Sequence, residues 1–342
     1  MTEASPILVT GASGYIALHV IRQLLTAGHA VRGSLRNLDR ADELRQAVGL
    51  SPSSQQLTFC QADLTADAGW DAAVAGCRLV VHTASPVPLR PPADEDELIV
   101  PARDGVLRLL RAAAAADVER VVMTSSVAAI SAGRPRDRHA KVTEAEWSDL
   151  EQPVGAYAKS KTVAERAAWE FVAGLPADRG LELVAINPAL VLGSPLAGDH
   201  SPSVEVIRKL MNRDMPACPR LGWSVVDVRD VAAAHIAALT APAAAGRRYI
   251  CAGSFMWIAD MARVLADHFA GTGRRIPTQR LPDWLFRLAS LFDPTLRLVV
   301  SDLGRHTEYD TSAIRRDLDW TPRPADATIT DTADGLIAKG IV

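Results

Sequence analysis

Residues 7–25 read ILVTGASGYIALHVIRQLL: a short apolar run, a turn holding two glycines, then apolar residues at helical spacing. A strand, a tight turn and an amphipathic helix in immediate succession leave few folds open. The helix must lay its apolar face back on the sheet that the strand has just joined. Gly11 permits the turn, and Gly14 lets the backbone approach an anion. The helix from Tyr15 turns its free N–H groups and positive dipole end to the same point. Ala17 stands where such turns pack helix against strand, and its single methyl is tolerated there. The expected ligand is the pyrophosphate of a dinucleotide, held by Gly11, Ser13, Gly14, Tyr15 and Ile16.

The rhythm continues for some 190 residues. Apolar runs at 7–10, 29–34, 57–61, 79–83, 120–124 and 182–187 read as strands buried on both faces. Helical patterns at 15–27, 39–48, 69–75, 99–116 and 156–173 alternate with them, and Gly28 stands where a left-handed helix cap is wanted. Regular β-α alternation predicts an α/β doubly wound parallel sheet of Rossmann type, with ligands at the carboxyl ends of its strands. Past Pro188 the alternation breaks at GSPLAGDHSPS, a loop by composition. A helix over 203–212, a strand over 223–226, a helix over 228–239 capped by Asp227, a strand over 248–252 and a helix over 257–269 follow. The expected division is a dinucleotide-binding domain over 1–190, with 223–252 returning to the sheet, and a smaller substrate lobe from 191–222 and 253–342.

Composition excludes more than it assigns. A net charge of −3 offers no electrostatic case for nucleic acid. No apolar run approaches the roughly 20 residues that span a bilayer. The amino-terminal residues carry no basic, cleavable apolar segment, so the expected location is cytoplasmic. Cys60, Cys77, Cys218 and Cys251 are scattered, which suits inert thiols, and the histidines show no zinc-binding spacing, so no metal is expected. G-x-S-x-G is absent, which argues against a hydrolase nucleophile elbow.

The second strand selects the nucleotide. An acidic residue at its end would take a ribose 2′-hydroxyl. Here AVRGSLRNLDR presents Gly33 and Ser34, followed by Arg36 and Arg40. A carboxylate would repel a 2′-phosphate, whereas guanidinium groups pair with it, so NADP(H) is expected over NAD.

Residues 156–161, AYAKSK, place Tyr157 and Lys161 one turn apart on a helix face. The 37 basic residues include only five lysines, so a chance Y-x-x-x-K is uncommon. About thirty residues earlier, VVMTSSVAAI ends a strand with Ser125 and Ser126. Hydride delivery to a carbonyl leaves an alkoxide that needs a proton, which tyrosine supplies well once its pKa is lowered. The Lys161 ammonium and an oxidised nicotinamide would both favour the tyrosinate. A serine hydroxyl beside it can hold the substrate oxygen.

A glycine turn of the form T-G-x-x-G-x-x-A, a serine-tipped strand and Y-x-x-x-K together resemble the extended short-chain dehydrogenases/reductases. TGASGYIALH, HTASPV and INPALVLG are most similar to the group of dihydroflavonol reductases, cinnamoyl-CoA reductases and yeast methylglyoxal/aldehyde reductases. The resemblance implies Ser126 as the catalytic serine, with Ser125 the alternative, and Lys161 as a ligand of the nicotinamide ribose. It also places Asp63 and Leu64 near the adenine. Thr83, Ala84 and Ser85 fall against ribose and phosphates, Thr124 is a further cofactor contact, and Pro188, Ala189, Leu190 and Val191 lie against the nicotinamide. The implied activity is reversible NADPH-dependent reduction of ketones and aldehydes, by a monomer or homodimer. Val87, Val127, Leu192, Met215 and Trp223 are expected to line a pocket for hydrophobic or aromatic substrates. Two alternatives share these features: a nucleotide-sugar epimerase, with Arg274, Arg275 and Arg280 available to a second pyrophosphate, and a non-catalytic NADP-binding sensor. Asp227 and Asp230 are expected to cap and bridge, and His82 and His235 to pack. The segment SAGRPRDRHAKVTEAEW reads as an insertion between serine and tyrosine.

Overall fold

A computed structural model describes residues 5–87, 92–134, 141–176, 179–198 and 201–342, with the backbone alone at 294, 295, 298 and 301. Seven strands form one parallel sheet: β1 Ile7–Thr10, β2 Val31–Leu35, β3 Leu57–Gln61, β4 Leu79–His82, β5 Arg120–Thr124, β6 Glu182–Pro188 and, later in the chain, Arg248–Cys251. Their order is β3-β2-β1-β4-β5-β6 and then Arg248–Cys251. The order reverses between β1 and β4, which opens a crevice at the carboxyl ends of those strands.

Alternation along the strands builds two cores. Val9, Val81, Val122 and Val184 face one way, against Val20, Ile21 and Leu24 of α1 (Tyr15–Thr26). Leu8, Val80, Val121 and Leu183 face the other, against Trp70 of α3 (Trp70–Val74), Leu109 and Leu110 of α4 (Asp96–Ala115), and Ala164 and Ala168 of α5 (Ala156–Ala173). The short helix α2 is Ala41–Ala47. Small alanines on α4 and α5 let the two helices pack closely over the sheet.

Three departures from the expected pattern have local causes. β3 is an edge strand in which Leu57 alone is buried, so its outer residues meet solvent. α4 starts at Asp96, where Asp96 and Glu97 favour the positive end of the helix. β7 (Leu190–Leu192), β8 (Gly222–Asp227) and β9 (Phe255–Trp257) form a separate three-stranded sheet. The chain therefore returns to the large sheet through α7 (Val228–Thr240) and strand Arg248–Cys251, and residues 223–227 stay outside it. Helix α6 (Glu205–Asn212) and helix Ile258–His268 close a third core over the small sheet, with Leu192, Ile207, Met261, Leu265 and Ile329 inside. Asp227 caps α7 by accepting from the Arg229 N–H at 2.8 Å and ion-pairs with Arg229, and Asp230 pairs with Arg323.

Candidate active site

The glycine turn sits at the sheet's switch point, as the strand order requires. Gly11 has φ +63°, and a Cβ there would stand 2.9 Å from the Ala84 Cα. The turn is held from β2: the Gly11 N–H donates to Ser34 Oγ at 3.2 Å and the Ala12 N–H to the Ser34 carbonyl at 2.9 Å. Gly33 allows this approach, since a Cβ there would meet Ala12 Cβ at 2.7 Å. Helix α1 begins after Gly14 with no side-chain cap and no acidic residue in its first turn. Its amino end therefore offers N–H groups to an anion, and the cradle fits a pyrophosphate. The Tyr15 side chain is engaged elsewhere, its hydroxyl donating to the Gly193 carbonyl at 2.7 Å. Tyr15 can serve such an anion through its backbone alone.

Of the two arginines after β2, Arg40 forms a two-point ion pair with Glu43 on the next turn. Arg36 instead lends only its carbonyl, to the Gln61 amide at 3.0 Å, and its exposed guanidinium lies near enough to Asp63 to steady that carboxylate. Arg36 is thus the better placed to receive a 2′-phosphate. Asp63 is held below the usual carboxylate range chiefly by the Thr65 N–H and hydroxyl, both at 2.8 Å.

Across the crevice, β5 ends at Thr124 and is followed at once by Ser125 and Ser126, and the start of α5 brings Tyr157 and Lys161 to them. The two serines part. Ser125 Oγ donates to the buried carboxylate of Glu165, whereas Ser126 Oγ interacts with the Tyr157 hydroxyl and accepts the Ala128 N–H at 3.1 Å. Ser126 is the serine that reaches the tyrosine. Tyr157 is 37% exposed. Desolvation by the surrounding protein raises its pKa above the ordinary phenol value, and the Ser126 hydrogen bond offsets this in part. The expected lowering of this pKa is therefore not a property of the chain alone, where desolvation wins.

Lys161 is 6% exposed, with Nζ 3.4 Å from the Thr124 carbonyl and 5.9 Å from the centre of the Tyr157 ring. Burial drives its pKa down to about 8, against the upward pull of Glu165. A small cavity beneath it is bounded by His82, Ala84, Ser85, Thr124, Ser125 and Lys161 among others. Two histidines support this floor. His82 Nδ1 lies 2.8 Å from Thr10 Oγ1, and burial with the nearby Lys161 holds its pKa to about 3. His235 Nδ1 lies 2.8 Å from the Val231 carbonyl and so donates to it, leaving Nε2 to accept from the Thr124 hydroxyl at 2.7 Å. Burial lowers His235 to about 4. Both rings are neutral at ordinary pH and act as packed hydrogen-bonding groups. Thr83 donates its hydroxyl to the Thr10 carbonyl at 2.6 Å, and the Ala84 N–H reaches Thr10 Oγ1 at 3.1 Å. These bonds lock β4 to the glycine turn.

The residues expected around a substrate divide. Val87 is 48% exposed at the rim. Val127 is partly buried beside Ile130, and Met215 and Trp223 are partly buried against the lobe core. Leu192 is fully buried inside that core and cannot line an open pocket, which corrects the sequence expectation. Leu190 is partly buried and Val191 buried in β7, which starts two residues after Pro188. Of the insertion, residues 135–140 lie outside the described residues. Its end is anchored: Arg248 donates to the carbonyls of Glu144 and Glu146 at 2.9 and 2.8 Å, and Ser148, the residue after the segment, donates its hydroxyl to the Ala128 carbonyl at 2.7 Å. Arg274 packs over Phe269, 5.7 Å from the ring centre. Among the described residues no cluster of histidine, cysteine and carboxylate side chains could hold a metal, and no helix is long and apolar enough to cross a membrane.

Sequence reasoning passed over Glu165, Asn187 and Arg248. Glu165 lies eight residues after Tyr157, on the same helix face, and that spacing was the available signal. Nothing local in the sequence brings Arg248, 83 residues away, to its carboxylate.

Comparison with known proteins agrees with this geometry. The NAD dependent epimerase/dehydratase family matches residues 7–252. Cinnamoyl-CoA reductase 1 of Arabidopsis thaliana is 38% identical over 268 residues, 77% of this chain and 74% of the relative. An anthocyanidin reductase of Vitis vinifera, (2S)-flavan-3-ol-forming, is 30% identical over 308 residues, 86% of each chain. The crystal structure of yeast methylglyoxal/isovaleraldehyde reductase Gre2 complexed with NADPH superposes with a TM-score of 0.82 at 28% identity. It covers 98% of this chain and 100% of that one. With the glycine turn, Ser126, Tyr157 and Lys161 all in place, the chain belongs to the NAD-dependent epimerase/dehydratase family, among the extended short-chain dehydrogenases/reductases.

Proposed function

We propose that the protein is an NADPH-dependent reductase that converts small apolar or aromatic aldehydes and ketones to alcohols, with Tyr157 as the proton donor. The observation that carries this reading is the meeting of Ser126 and Tyr157 hydroxyls above Lys161, across the crevice from the glycine turn. The named relatives, each a reductase, and the NADPH bound to the yeast structure support it.

When bound, the reduced nicotinamide supplies the hydride. Gly11, Ser13 and Gly14, with the N–H groups of Tyr15 and Ile16, hold the pyrophosphate, and Arg36 takes the 2′-phosphate. Asp63 and Leu64 border the adenine; Thr83, Ala84, Ser85 and Thr124 border the ribose and phosphates. Lys161 binds the nicotinamide ribose, and Pro188, Ala189, Leu190 and Val191 orient the ring. Ser126 holds the carbonyl oxygen. Tyr157 then gives its proton to that oxygen as the carbonyl carbon accepts hydride. A raised phenol pKa keeps Tyr157 protonated at neutral pH, ready for reduction, while the Lys161 ammonium steadies the phenolate as it forms. Val87, Val127, Met215 and Trp223 supply an apolar rim.

The test follows oxidation of NADPH and NADH against a panel of aromatic and aliphatic aldehydes and ketones, and assays UDP-sugars with the oxidised cofactor by analysis of the sugar products, since epimerisation consumes no net hydride. Turnover of aromatic carbonyls with NADPH is the expected result. Turnover confined to UDP-sugars would replace this reading with the epimerase, and tight NADPH binding without any turnover would replace it with the sensor.

A further inference from the structure

Glu165 and Arg248 form a buried ion pair that no step of the reduction uses. The Glu165 side chain is 0% exposed and that of Arg248 9%, with Nε 2.5 Å from Oε1. The other carboxylate oxygen accepts from Ser125 Oγ and from Asn187 Nδ2, the latter at 2.8 Å. Asn187 Nδ2 also donates to the Ser126 carbonyl at 3.1 Å. The Arg248 guanidinium lies 3.6 Å over the Trp147 ring and binds the Glu144 and Glu146 carbonyls. A buried ion pair is a weak device for stability, since apolar side chains of equal volume often serve as well. Its placement is more informative. Tyr157, Lys161 and Glu165 succeed one another at four-residue intervals on one face of α5.

We propose that Glu165 and Arg248 are positioning residues: the pair sets the charge state of Lys161 and fixes the strand ends that carry Ser126 and Pro188. The inference rests on the reductase reading of Ser126, Tyr157 and Lys161. Lys161 is faced by Tyr157 and Glu165 from its own helix, by neutral His82 from β4 and by the Thr124 carbonyl from β5. Arg248 stands behind Glu165. The Glu165 carboxylate favours the ammonium, and the Arg248 guanidinium holds that carboxylate in place. Removing the carboxylate charge should therefore lower the Lys161 midpoint. A pair that merely fills space would leave it unmoved.

The decisive measurement is the Lys161 titration by NMR of cofactor-free protein carrying side-chain-labelled lysine. The chain has only five lysines, so loss of a signal in Lys161→Met assigns it. Glu165→Gln should lower the midpoint by about one pH unit. A rise, or no shift, overturns the proposal. A second readout uses NADPH and benzaldehyde at about pH 9: Glu165→Gln should lower kcat about tenfold while KM for NADPH stays within about twofold. Should the wild type reduce no carbonyl, the reductase reading fails, while the titration still decides the inference. Where a single variant does not fold, Glu165→Asp and Arg248→Lys carry the test. Each keeps its charge, so the midpoint must stay within about half a pH unit of wild type, and a larger move overturns the proposal.

Discussion

Gly11 and Gly14 are two residues of one turn, yet an added methyl should damage them differently. At Gly11 the backbone has φ +63°, and a Cβ would stand 2.9 Å from the Ala84 Cα and 3.2 Å from its nitrogen. A left-handed conformation costs an L-residue about 1–2 kcal/mol. The clash is with backbone, which cannot swing aside, and overpacking of this kind adds about 1–3 kcal/mol. Gly11→Ala should thus lose about 2–5 kcal/mol of unfolding free energy. At Gly14 φ is −72°, which any residue adopts. A Cβ there meets the Gly11 carbonyl at 3.1 Å and little else. Alanine is a poorer N-cap than glycine, so Gly14→Ala should cost about 1 kcal/mol. Its larger effect should fall on binding, because the methyl occupies the approach of the pyrophosphate to the helix end. Urea unfolding of cofactor-free protein and fluorescence titration with NADPH separate the two. Gly14→Ala should weaken NADPH about tenfold or more, a change of about 1.4 kcal/mol. Gly11→Ala unfolding at the wild-type urea concentration would refute the steric reasoning, and unimpaired NADPH binding by Gly14→Ala would refute the location of the pyrophosphate.

Three further outcomes can be measured directly. Arg36→Ala should remove about 1.5–3 kcal/mol of the preference for NADPH over NADH, read from paired binding constants; equal wild-type affinity for the two would end that assignment. Tyr157→Phe should bind NADPH normally and reduce carbonyls about 10²–10⁴-fold more slowly in single turnover, whereas a near wild-type rate would remove Tyr157 as the acid. Lys161 carries its charge below a pKa of about 8 and loses it above. Reduction should therefore decline as pH rises through that value, and a profile flat across it would show that the ammonium is not required.

The parallel sheet was legible because its signal is repeated: every strand alternates with a helix, and each apolar run is bounded by turn residues. The edge position of β3 was not, since Leu57–Gln61 has the same apolar flavour as its buried neighbours and only the strand order leaves it uncovered. Met215 and Trp223 were expected to line a substrate pocket, and both are partly buried against the lobe core. Leu192 shows the limit of that approach. A leucine next to a site and a leucine inside a core look alike until the fold turns one inward.

The choice between Ser125 and Ser126 has the same origin. Adjacent residues at the end of an extended strand point to opposite sides, so one serine must face the tyrosine and the other the packing beneath. Which is which depends on the register of β5 against α5, set by contacts about forty residues away. Ser125 is taken by Glu165, itself held by Arg248 from the far strand of the sheet. Ser126 is left to Tyr157 because its neighbour is bound. The Ser126–Tyr157 contact and the buried ion pair are thus two consequences of one register: a chain that lost the Glu165 contact would free Ser125 and loosen the partition that leaves Ser126 to Tyr157.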